Sequence, residues 1–119
     1  MGRRGARSLL IGTDRFIWSV RHSHENGWRE VVRLRREGAP GQLVVVFRAG
    51  DGHLVADGFM HAGQVRHADG RSLNLNRPGV IRALLDEASA RGWQAEASEL
   101  DGWELFDAVA RRSEPPQRG

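Results

Sequence analysis

The sequence predicts an α+β fold: an antiparallel β-meander of five to six strands, followed by two C-terminal helices packed on one face of the sheet. Three observations carry this expectation. Between residues 9 and 76, short apolar runs are separated by turn-forming Gly, Asn, Asp and Pro. After Pro78 the apolar spacing changes from two residues to three and four. The length, 119 residues, suits one domain with one modest core.

The elements follow in order. Residues 1–7 and 113–119 are polar, bear Gly or Pro and offer nothing to bury, so both read as disordered ends around a single domain at 8–112. "RFIWSVRH" alternates, with Phe16, Trp18 and Val20 on one face and Ile17, Ser19 and Arg21 on the other. "WREVVRLRR" is its hairpin partner. The expected register sets His22 opposite Trp28, Val20 opposite Glu30, Trp18 opposite Val32 and Phe16 opposite Leu34, with a loop of three to five residues around "SHENG". "QLVVVFR" is apolar on both faces, as a central strand is, and "LVA", "GQVRH" and "RSLNL" are shorter strands joined by Gly-rich turns. Val80, Ile81, Leu84, Leu85 and Ala88 recur at helical spacing, with Pro78 suited to the first turn and Gly92 to the position just past the end. "WQAEASE" reads as a short edge strand or a loop. Asp101 and Glu104 have the spacing of a capping box for a second helix, whose Trp103, Phe106 and Val109 face inward.

Composition excludes several classes. Without cysteine there are no disulfides, thiolate metal sites or cysteine nucleophiles, and tyrosine is absent too. No apolar run spans a membrane or forms a signal-peptide core, so a soluble cytoplasmic protein is expected. All 18 basic residues are arginine, a bias that a GC-rich bacterial genome produces. The charge is unevenly placed. Residues 8–77 hold ten Arg against seven acids, whereas 78–110 hold two against seven.

Two constellations stand out. The first is "VRHSHENGWREVV", where His22 and His24 are spaced to point the same way. This His-x-His resembles the first motif of cupins, but Glu30 comes only after five further residues and no second motif follows, so no residue role carries over. The expectation is no metal site and no cofactor, with His22 and His24 as the fallback ligands. The second is the opposite face of the same hairpin, where Arg15, Arg21, Arg29, Arg33 and Arg35 gather without a carboxylate. Like charges facing across strands are unfavourable. Water, the acidic helical segment, a second copy or an anionic partner must relieve them.

No catalytic residues are assigned. No nucleophile elbow, phosphate loop or dinucleotide fingerprint occurs. His53, His61 and His67 are scattered, and turn chemistry accounts for Asp51, Asp57 and Asp69. The favoured expectation is a non-enzymatic interaction module, self-association included, with Arg21, Arg29, Arg33 and Arg35 as its binding residues. A nucleic-acid accessory protein and a small-ligand binder or enzyme with a pocket between sheet and helix are the alternatives. Nucleic acid is not favoured, because no helix is basic and Phe16 and Trp18 lie opposite the arginines.

Overall fold

The computed structural model describes residues 7–24, 27–55 and 63–113. The fold is α+β. β1 (Arg7–Ile11), β2 (Asp14–Ser23), β3 (Arg29–Arg36) and β4 (Leu43–Arg48) form an antiparallel run. The chain then leaves this sheet. β5 (His53–Val55), β6 (Gln64–His67) and β7 (Ser72–Asn74) make a small antiparallel sheet of their own. After α1 (Pro78–Ala90), β8 (Ser98–Asp101) returns to lie parallel to β4, and α2 (Gly102–Ser113) follows directly. The main sheet has the order β1-β2-β3-β4-β8.

The expected meander is therefore divided between two sheets. β1, absent from the expected strands, begins at Arg7, inside the segment read as an arm, and α2 ends at Ser113, inside the segment read as a tail. Residues 1–6 and 114–119 lie outside the described residues. "RSLLI" does not alternate, so its pairing with β2 is not visible in its own pattern.

One face of the main sheet is the core face. Phe16, Trp18, Val32, Leu34, Leu43, Val45 and Phe47 are buried against Val55, Val65 and Leu73 of the small sheet and against Ile81, Leu84, Leu105, Phe106 and Val109 of the helices. The helices thus share this face with the small sheet. Arg7 completes one corner. Its guanidinium lies 4.7 Å over the Trp18 ring and donates to Asn76 O at 2.7 Å.

Local signals explain the helix ends. Pro78 opens α1, and the buried residues include all five of the expected apolar positions. Gly92 adopts φ 106°, Trp93 N–H donates to Ala88 O and Gly92 N–H to Ser89 O, which is the left-handed C-terminal motif that favours glycine. At α2, Asp101 accepts from Trp103 N–H at 2.9 Å. Glu104 makes no return bond among the described residues, because Asp101 sits in β8, paired with Val46 of β4, rather than in a free loop. Gly102 is a packing requirement. A Cβ there would come within 2.5 Å of the Phe47 ring, so only glycine lets α2 start flush on β4. Phe106 and Val109 are buried as expected; Trp103 is only half-buried and Leu105 takes its place inside.

Candidate binding face

The hairpin of β2 and β3 builds the site. Its register is Val20↔Val32, Trp18↔Leu34, Phe16↔Arg36 and His22↔Glu30. This corrects the sequence-derived register by two residues. A two-residue offset keeps every side chain on its face, so the apolar pattern fits both registers equally. Charge separates them. The expected register would set Arg21 against Arg29 and Arg15 against Arg35. In the observed one Arg21 faces Val31, Ser19 faces Arg33, Ile17 faces Arg35 and Ser23 faces Arg29. No arginine opposes another across this hairpin, and Glu30 gains a histidine.

On the side away from the core, β2 presents Arg15, Ile17, Ser19 and Arg21, β3 presents Arg29, Val31, Arg33 and Arg35, and β4 presents Val44, Val46 and Arg48. The four arginines singled out in the sequence are all on this face. Arg21, Arg33 and Arg35 are exposed and Arg29 is half-buried. Among the described residues, none of the four has an ion pair. Their neighbours do: Arg15 lies 3.6 Å from Glu37, and Arg48 lies 3.6 Å from Glu99. Arg29 faces Arg48 across β3 and β4, and its buried Nε has no hydrogen-bond partner. Val31 and Val46 meet at the centre, 5% and 4% exposed. The register surrounds them with Arg21, Arg29 and Arg33, whose methylenes cover apolar surface while the charged ends stay in water. A shallow depression of about 140 Å³ runs between Ile17 and Ser19 on one side and Arg33 and Arg35 on the other.

His22 and Glu30 lie on the opposite, core-facing side. Glu30 is fully buried, with Phe47 as its other cross-strand neighbour. His22 Nδ1 and Glu30 Oε2 are hydrogen-bonded at 2.5 Å, and Gly63 N–H donates to Oε1 at 3.2 Å. Burial pushes the Glu30 carboxyl above its ordinary range, and the bonds from His22 and Gly63 oppose that shift. The pair ties the small sheet to the main one. His22 and His24 both pack on Trp28, with ring centroids 5.2 Å away in each case. Among the described residues, no group of three His, Asp or Glu is arranged to hold a metal ion.

Other sequence candidates separate. His61 and Asp57 lie outside the described residues. His53 and His67 are cross-strand partners in the small sheet, and His53 stacks on Trp103 at 4.2 Å, a cluster that the sequence gives no spacing to find. Asp69 accepts from the backbone and guanidinium of Arg71, which holds its carboxyl down to about 2. A polar cleft of about 390 Å³ lies between the small sheet and the helices, lined by Gln64, Asn74, Arg77 and Ser113 among others. Its other guanidinium, Arg71, is already held by Asp69 and Asp107. No helix among the described residues is long and apolar enough to cross a membrane. The chain matches no family model, no curated protein and no solved structure.

Proposed function

We propose that this chain is a non-enzymatic binding module that engages an anionic partner through the open face of its main sheet, with Arg21, Arg29, Arg33 and Arg35 as the binding residues. One observation carries the reading. These four guanidinium groups lack any carboxylate partner among the described residues, while the arginines at the margins are paired. Guanidinium groups bind carboxylates and phosphates in bidentate fashion, so an unpaired set on one rigid sheet is a ready receptor for anions. The reading needs no cofactor and no metal. The cysteine-free sequence fits a reducing compartment, and we place the protein in the cytoplasm.

Self-association has less support. Of the apolar residues on this face, Val31 and Val46 are already buried within one chain, and Ile17 and Val44 are half-buried. Titration with inorganic polyphosphate, followed by calorimetry at low and moderate salt, tests the proposal. Affinity should fall as salt rises and drop at least tenfold, on the order of 1.4 kcal/mol, in the double variant Arg33→Gln/Arg35→Gln. A double variant that binds as tightly as the parent would show that the face is merely solvated.

A further inference from the structure

We propose that the cleft between the small sheet and the helices is a docking groove for an extended peptide of another protein, which adds a strand to the free edge of β7 and sets one acidic side chain on Arg77. The small sheet and the helices pack on the core face of the main sheet, so this groove lies away from the arginine face and binds independently of it.

The edge of β7 is open. β7 ends the small sheet and has β6 on one side only. His67 N–H donates to Arg71 O and Leu75 N–H to Gly63 O, each at 2.8 Å, which sets the phase of the hairpin. Bonded and unbonded pairs alternate along an antiparallel ladder. Leu73 therefore bonds to Val65, while Ser72 and Asn74 turn their backbone groups away from β6. Asn74 O accepts from Arg77 N–H at 3.0 Å. Ser72 N–H, Ser72 O and Asn74 N–H have no partner among the described residues. A strand laid beside β7 satisfies all three.

The cleft, of about 390 Å³, follows that edge. Ser72, Leu73 and Asn74 all line it. Leu73 points to the core and its two neighbours point the other way, so a cavity that touches all three runs along the strand's edge and not over one of its faces. Val80 of α1 and Ala110 of α2 form the other wall and give apolar surface for a small side chain. A free anion needs no strand edge, whereas an extended backbone does. Strand addition takes its affinity from main-chain bonds and its specificity from the pockets beside them.

Charge narrows the peptide further. Two guanidinium groups line the cleft, and Asp69 and Asp107 already hold Arg71 at 2.7 and 2.8 Å. The Arg77 side chain does not cap α1 and has no ion pair among the described residues. One unpaired guanidinium suits one carboxylate. The segment that follows Ser113 fits less well, because Pro115 and Pro116 lack the N–H that Ser72 O requires.

Amide NMR of the isotope-labelled full chain, titrated with acetyl-Val-Thr-Val-Glu-Val-amide to millimolar concentration, tests the groove. The Ser72 and Asn74 N–H signals should move most. The same peptide N-methylated along its backbone should bind about tenfold more weakly. Ser72→Pro removes an outward N–H that β6 does not use, so the hairpin tolerates it, and binding should weaken about fivefold. Arg77→Gln should weaken binding about tenfold and leave acetyl-Val-Thr-Val-Thr-Val-amide unaffected. If Ser72→Pro unfolds, the methylated peptide still decides, since it leaves the protein unaltered. Unmoved Ser72 and Asn74 signals, or equal binding of the methylated peptide, would overturn the proposal. Equal affinity for free glutamate would make the cleft a small-anion site and overturn it too. Peptide binding seen only in a chain ending at Ser113 would make residues 114–119 the occupant, against the proposal.

Discussion

Glu30 shows how one side chain sets the behaviour of a hairpin. It is the sole buried charged residue among those described, and it selects the register by standing opposite His22. Its carboxyl is pushed above the ordinary value of 4.5, chiefly by burial. The folded chain therefore keeps this proton to higher pH than the unfolded chain does. The contribution to stability is complete below the unfolded value and declines as pH rises through the raised, folded value. Glu30→Gln keeps a hydrogen-bonding side chain but removes the titration. Urea melts between about pH 4 and 8 should show the parent losing stability relative to the variant as pH rises; parallel curves would mean that burial does not control this group. The sequence carried half of this signal. Glu30 shares parity with Val32 and Leu34, which marks it as an inward carboxylate, but nothing local says that His22 meets it.

Among the elements, local rules were legible and long-range pairings were not. α1 could be read because Pro78, the apolar spacing and Gly92 all act within a few residues. β8 was legible only as one of two options, a short edge strand or a loop at 93–99; the strand lies at Ser98–Asp101, and its parallel pairing with β4, far earlier in the chain, has no local signal. The division of the meander also escaped, since the turn at 50–52 has the same composition as a hairpin that stays in its sheet. The arginine face was legible as a face, because parity survives a two-residue offset; its lack of acid partners required the register. α2 allows a quantitative check of docking against capping. Phe106→Ala should destabilise by about 3–5 kcal/mol, since the ring is buried against the core. Asp101→Ala should cost about 1 kcal/mol, the loss of one cap bond. Denaturant melts that rank the two equally would show that α2 does not hold to the sheet through Phe106.

Across the whole molecule, charge is sorted by side. The helical half pairs much of its charge internally, as Glu87 does with Arg91 and Arg112, whereas Arg21, Arg29, Arg33 and Arg35 stand without an ion pair among the described residues on the side of the sheet away from the core. Arg33→Gln/Arg35→Gln should accordingly leave stability unchanged or raise it by up to about 1 kcal/mol, because it relieves like-charge crowding and removes no bond. A loss above that in a urea melt would mean that the stems, rather than the charges, matter most. The parallel pairing of β4 with β8 has a further outcome, in the order of assembly. "LVVVF" can join β3 as soon as both are synthesised, but its other edge stays open until residues 98–106 exist and α1 has formed. Contacts of such sequence separation form late, and an apolar strand with an open edge recruits copies of itself in the meantime. A fragment ending at residue 97 should therefore pellet on centrifugation at concentrations where the full chain stays in solution. The short strand that completes the sheet is, during biosynthesis, its guard against aggregation.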